Sequence, residues 1–321
     1  MISVFTKHAD VNLPSSRRIF LKGNVQKSKN IGLNKTNART AWFFLTPVFL
    51  LLFTFLALPA LNSFRLSVSQ WPGLGPLKYV GADNFRKVFS EGKLSHSVFV
   101  TFFYSFSVSL LVVAMAAIMA SAVSSGIRGG KFMKVVWFFP GIAPPTAVAI
   151  FWSTSLQPYT GIVNVILNTI GLGDEFAPLA SEKTAIYPII LVSVWASVGF
   201  AFLVLLGATE SIPVSLREAA FIDGANVWQH FTKITLPLIK PVLLTIFTLE
   251  FIWHVNGFTM IWAMTQGGPG FATEILPIYA YKEAFVFARF GTAAAISVLV
   301  GIFLVILGAL STRLSRSGQL E

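Results

Sequence analysis

Cysteine is absent from this 321-residue chain. No disulfide framework, zinc thiolate or thiol nucleophile can be built, and the redox compartment is left open. Charge is scarce as well. Asp, Glu, Lys and Arg make up 12% of the residues, about half of what a soluble domain carries, so water cannot be the only solvent of this protein. The four histidines, His8, His96, His230 and His254, are scattered. They form no metal constellation, and no cluster of His, Asp or Glu marks a membrane enzyme. A phosphate loop is missing too. Gly129-Gly130-Lys131 comes nearest, but Ser125 stands where the pattern needs glycine and Phe132 where it needs Ser or Thr. The chain shows no nucleotide site of its own. Its basic N-terminal residues lack the interleaved aromatics on which bases stack, which argues against nucleic acid as a partner.

What is present is apolar. Hydrophobic residues are 55% of the chain, 31 of them Phe, and the mean hydropathy is +0.72. Several runs of about 20 apolar residues are each long enough to cross the bilayer core. The lack of period-2 alternation argues against a barrel, so the runs are expected to be helices, which satisfy their own backbone in lipid. Spans are expected at about 42–62, 97–123, 135–156, 185–207, 242–264 and 290–312. The flank Leu58-Pro59-Ala60-Leu61 is a poor cleavage site, so the first run reads as a retained span. Pro140, Pro144 and Pro145 predict a break in the third span, tolerated where it lines a cavity or meets neighbouring helices. A basic tail is expected over 1–41 on a membrane surface, and a second, short tail over 313–321. Six spans put both ends on one side. The tails and the connections 124–134 and 208–241 hold 16 of the 24 Lys and Arg. The positive-inside rule then places both termini and the 208–241 loop in the cytoplasm.

That loop contains the most informative stretch, Glu218–Pro237. It reads E-A-A (Glu218, Ala219, Ala220), three residues, Gly224, nine residues, then Ile234-x-Leu236-Pro237. Glu218 is expected to open a short helix of small residues. Gly224 allows a bend or a close approach, and proline at 237 is expected to end or restart a helix. The pattern resembles the cytoplasmic signature of the permease subunits of ATP-binding-cassette importers. Three further segments agree with that family. Tyr79–Phe85 resembles its Φ-x-G-x-x-N-F segment. Pro158–Asn164, followed by Gly171, resembles its external G-x-x-N loop. Thr265-Gln266-Gly267-Gly268-Pro269, followed by Phe290–Ala295, resembles the T-x-G-G-P turn and F-G-x-A-A-A start of carbohydrate-uptake permeases.

The resemblance covers roughly 42–312. It implies an all-α polytopic membrane protein with the type I importer permease fold, in a bacterial inner membrane. It also implies a noncatalytic translocation subunit that binds no cofactor, with ATP and Mg2+ held by separate subunits. The implied partners are a second permease, two ATP-binding subunits, an external solute-binding protein, membrane lipid and a carbohydrate. Glu218, Ala219, Ala220, Asp223, Gly224, Ile234, Leu236 and Pro237 would couple to the ATPase, and a larger side chain at Gly224 would clash with its docking cleft. Glu218 would meet a basic partner group or favour the N-terminal end of its helix.

For the cargo, Glu250 is the one acid expected inside a span, where a charge costs about 2.5–3.5 kcal/mol on insertion scales and must face a cavity or the bundle. On a helix Glu250, Trp253, His254 and Gly257 share a face, and Asn256 lies beside them. Aromatic stacking with adjacent polar groups suits a sugar ring. The bland alternative is an interhelical hydrogen bond from Glu250. The rival function is a stand-alone secondary transporter or channel using Glu250 for ion coupling, which would call for charge relays and internal repeats that are not legible.

Overall fold

The computed structural model describes residues 35–317 and divides into two compact units after Leu58. Most of the expected basic tail therefore lies outside the described residues. The first unit contains α1 (Lys35–Leu52) and a π-helical turn at Phe53–Ala57; α2 (Leu58–Ser67) carries the chain into the second.

Two helices form the spine of the second unit. α4 (Lys93–Ser124) and α8 (Ile186–Glu210) pack along each other. The buried side of α4 steps by four residues through Ser97, Thr101, Ser105 and Ser109, then Val112, Ala116 and Ala120. Small residues at that spacing let helix backbones approach, the means by which membrane helices associate when lipid removes any hydrophobic drive. One buried hydrogen bond crosses the pair, Tyr104 hydroxyl to Ser193 Oγ at 2.8 Å. α11 (Leu236–Val255) packs on α4, and α5 (Gly130–Ile142) on α8. Gly199 permits that second contact, since a Cβ there would sit 2.3 Å from the Trp137 carbonyl oxygen.

The third apolar run is broken as its prolines require. α5 ends at Ile142, Ala143 is extended ahead of Pro144 as a pre-proline residue should be, and α6 (Pro145–Ser155) leaves at 93°. Among the described residues five helices are long and apolar enough to cross a membrane, six if this bent pair is one span.

The fifth run departs from expectation at both ends. The helix begins at Val227 and stops at Val255, whereas a span over 242–264 was expected. Pro237 and Pro241 do not end it. A π-helical turn at Phe231–Thr235 leads into Leu236, whose N–H donates to the Phe231 carbonyl five residues back, so α10 (Val227–His230) runs into α11 without a break. The stop comes at Asn256-Gly257. The Asn256 amide donates to the Ile252 carbonyl at 3.0 Å, competing with the helix ladder, and α12 (Phe258–Thr265) starts afresh and packs on α6. α14 (Phe290–Ser317) extends past the expected span into the residues read as a C-terminal tail.

The connections explain the weaker motifs. In the first, strand β1 (Ser69–Gln70) pairs antiparallel with β2 (Lys78–Tyr79), followed by α3 (Asp83–Ser90). Asn84 is buried and its amide donates to the carbonyls of Ser67 (3.0 Å) and Ser69 (2.8 Å). Gly291 lies against the same point, where a Cβ would stand 2.1 Å from the Ser69 carbonyl oxygen. Asn164, on α7 (Ile162–Thr169), similarly closes its loop. It donates to the Gln157 and Phe176 carbonyls and accepts from the Phe176 N–H. After Pro269, Thr273 bonds Thr265 Oγ1 (2.7 Å) and the Gly268 carbonyl (2.8 Å). The buried Glu274 beside it is held by Lys282 (2.6 Å) and Lys93 (3.0 Å). α13 (Leu276–Tyr281) begins with the Leu276 N–H donating to Thr101 on α4.

Candidate functional site

The segment after α8 is a short helix, a tight turn and a second helix start. α9 (Val214–Ile222) opens after Pro213, so Glu218 is its fifth residue and does not begin it. The helix dipole acts over the first turn, which removes the N-terminal reading of Glu218. Ala219 is exposed while Ala220 turns inward and is buried. The helix closes in a double hydrogen-bonded cap: Ala225 N–H to the Ala220 carbonyl (2.9 Å) and Gly224 N–H to that of Phe221 (3.1 Å). This cap requires a left-handed residue, and Gly224 supplies it with φ +81°. An added Cβ at Gly224 meets nothing within 4 Å. The constraint visible in this chain is therefore the backbone angle.

Asn226 then restarts the helix. Its side chain accepts from the Gln229 N–H (2.8 Å) and the Gln229 side chain accepts from the Asn226 N–H (2.9 Å), a reciprocal capping box. Phe221 stacks on the buried His230 across the turn, with ring centroids 5.5 Å apart. Arg217 ties α9 to the end of α4 through the Ser124 carbonyl. Between these fixed points the tip presents apolar side chains outward: Ile222 is 85% exposed, Trp228 65%, and Val227 and Phe221 are exposed beside them. Asp223 and Gly224 lie exposed at the turn, while Ile234 and Leu236 are half-buried and Pro237 is exposed on the continuing helix. The expected coupling residues thus fall into two groups, 218–224 at the tip and 234–237 on the stem.

The second arrangement is a cavity of about 480 Å³, within the range of small-molecule sites. Both breaks in the helical framework border it. Pro140, Gly141 and Pro145 come from the α5–α6 bend, and Asn256 and Gly257 from the α11–α12 break. Irregular backbone at membrane depth is tolerated where it lines a cavity. Glu250, Trp253 and His254 all reach the same space from α11, so the four sequence candidates and His254 are brought together. Glu250 is 1% exposed, and neither of its carboxyl oxygens has a hydrogen-bond partner among the described residues. His254 lies beside it, with Nδ1 3.6 Å from Oε2 but only 2.7 Å from the Glu250 carbonyl oxygen. A carbonyl only accepts, so Nδ1 carries the hydrogen and Nε2 turns toward Ser197 Oγ at 3.4 Å.

The bland reading of Glu250 as one half of an interhelical hydrogen bond therefore has no support among the described residues. Trp253 packs on Phe200 of α8 with centroids 5.3 Å apart and stays half-exposed. Gly257 lies against Tyr104, 3.2 Å from where its Cβ would be. Sequence reasoning missed Tyr104, Ser193, Ser197 and Phe200. Polar residues within the expected second and fourth spans, Tyr104 in one and Ser193 and Ser197 in the other, were the signal, and such residues read equally as helix packing.

Residues 88–317 match the family described as "binding-protein-dependent transport system inner membrane component". The chain is 30% identical over 285 residues to a probable ABC transporter permease of Brucella abortus, covering 88% of this chain and 99% of that protein. It is 29% identical over 274 residues to the trehalose/maltose transport system permease MalF of Thermococcus litoralis, covering 85% and 92%. Among solved structures, a chain of a bacterial ABC transporter involved in import of the acidic polysaccharide alginate aligns with a TM-score of 0.77. It is 24% identical and covers 88% of this chain and 96% of that one. At that identity the likeness is one of fold.

Proposed function

This chain belongs to the family of binding-protein-dependent transport system inner membrane components, and from that premise we propose that it forms part of the translocation path of an ATP-driven carbohydrate importer. A second permease completes the path, two separate ATP-binding subunits hold ATP and Mg2+, and an external solute-binding protein delivers the sugar. Both termini and the α9–α10 segment face the cytoplasm, in keeping with the excess of Lys and Arg in those connections.

The observation that carries this reading is the α9–α10 tip. Ile222, Val227 and Trp228 are exposed on a segment whose backbone is fixed by two caps and whose base is bonded to α4. A rigid apolar knob outside the bilayer is costly in water and suits a cleft on a partner. When the ATPase subunits close, such a knob moves as a body. Because α10 runs without a break into α11, that motion reaches Glu250 and Trp253 directly. The membrane cavity would thereby change the side to which it opens. Support for carbohydrate as the cargo class comes from the trehalose/maltose relative and from the aromatic and hydroxyl side chains around the cavity.

The test is co-purification of the tagged chain, expressed with its genomic neighbours, as wild type and as Ile222→Asp and Trp228→Asp. Wild type is expected to bring down an ATP-binding protein and a second permease. Each variant is expected to lose the ATPase and keep the second permease. A wild-type chain that purifies alone, stays folded and moves solute without ATP would refute the proposal.

A further inference from the structure

Resting on the carbohydrate reading, we propose that the cavity is selective by charge: it takes a sugar that donates hydrogen bonds from hydroxyl or amino groups, and it rejects uronates and sugar phosphates. Three observations meet here. The first is Glu250, almost wholly buried, with both carboxyl oxygens lacking a hydrogen-bond partner among the described residues. A buried polar group left unmatched destabilises its surroundings, so a ligand that supplies donors gains by entering. The second is the rest of the polar lining. The polar groups that accompany Glu250 are His254, Ser193, Ser197, Asn256, Thr259 and the Tyr104 hydroxyl, and among the described residues no Lys or Arg lines the cavity. A carboxylate or phosphate on the cargo would be desolvated with no cation to meet it and with an acid already present. The third is the Trp253–Phe200 pair, an apolar wall at which the face of a sugar ring can stack.

His254 does not supply the missing cation. Its Nδ1 hydrogen goes to the Glu250 backbone carbonyl at 2.7 Å, and Nε2 faces a serine hydroxyl. The likeness to a chain of an alginate transporter does not argue the other way, because it is one of fold and one fold accommodates many cargoes.

The experiment uses the complete complex in nanodiscs and proteoliposomes, with its own binding protein. The probes are disaccharides of matched size: neutral, amino, uronate-containing and phosphorylated. ATP hydrolysis and uptake are measured for wild type, Glu250→Gln and Glu250→Lys, with co-purification of all subunits as the check on folding. A neutral or amino disaccharide is expected to be taken up at least tenfold faster than any anionic one. Glu250→Gln, which keeps one acceptor oxygen and turns the other into a donor, is expected to slow uptake of a neutral sugar severalfold and that of an amino sugar at least tenfold. Glu250→Lys is expected to reduce uptake of either by at least tenfold. Uptake of a uronate or phosphorylated sugar by wild type would overturn the proposal, as would unchanged uptake by Glu250→Lys in a fully assembled complex. If ATP hydrolysis is driven only by a cargo that is not a sugar, the carbohydrate reading fails and this inference falls with it.

Discussion

Replacing Gly224 separates two reasons for a glycine in the α9–α10 turn. The cap that ends α9 needs φ near +81° at this position, and among the described residues nothing lies within 4 Å of an added Cβ. An L-residue other than Asn or Asp pays about 1–2 kcal/mol for left-handed geometry, a factor of roughly 5–30 in an equilibrium. The turn is exposed and held mainly by the two cap hydrogen bonds and the Asn226–Gln229 box. Gly224→Ala should therefore relax out of the docking geometry, and its affinity for the ATPase subunits should fall by about 5- to 30-fold. Gly224→Asn, which tolerates the left-handed region, should recover most of that loss despite its larger side chain. The assay is equilibrium binding of the purified permease pair to the ATPase, with coupled ATP hydrolysis alongside. Equal, severe loss in Ala and Asn variants would refute the backbone argument and assign the requirement to a partner surface that excludes any side chain. Full affinity in the Ala variant would show that the cap is not used in docking.

Two further outcomes follow from the connections. Asn84→Ala removes two buried hydrogen bonds, to Ser67 and Ser69, worth about 2 kcal/mol together, whereas Asn84→Asp sets an acceptor against both carbonyls; heat-induced loss of the monodisperse complex should rank wild type, Ala, Asp from most to least stable, and an Asp variant above Ala would refute this. Burial raises the Glu283 carboxyl above its ordinary value of 4.5, with Arg289 beside it pulling the other way. A raised acid favours the folded state below its ordinary value and loses that contribution as pH rises through the folded one. The stability of wild type relative to Glu283→Gln should therefore fall as pH rises from 4 to 8, and the opposite slope would count against it.

How much of this was legible in the sequence depended on whether the signal was local. The apolar runs declared themselves because solvent alone dictates their length and helicity. The expected break at Pro140–Pro145 and the turn at Gly224 came from backbone constraints of single residue types. Asn84, Asn164 and Gly291 stood out as motif positions, but what they do, which is to close loops and admit a neighbouring backbone, needed the fold. The end of the fifth helix was misplaced. In an apolar run nothing in the hydropathy distinguishes Val255 from Met264, and the Asn256 amide that competes for the Ile252 carbonyl is a single hydrogen bond. The passage of the helix through Pro237 was misjudged because the π-helical turn that accommodates it leaves no compositional mark.

By itself the sequence determined that this is a helical membrane protein, that it carries the E-A-A…G stretch between two spans and that Glu250 needs a polar setting. Each of these follows from the free energy of placing a residue in water or in lipid, or from a motif order contained in one stretch of chain. Only the tertiary structure decided that the 93° bend after α5 and the break at Gly257 border one cavity, and that neither Glu250 carboxyl oxygen has a hydrogen-bond partner there among the described residues. In a membrane span apolar residues occupy the inward and outward faces alike. Which faces meet is settled by close packing, such as Gly199 on Trp137 and Tyr104 on Ser193, and packing joins residues that the sequence keeps far apart.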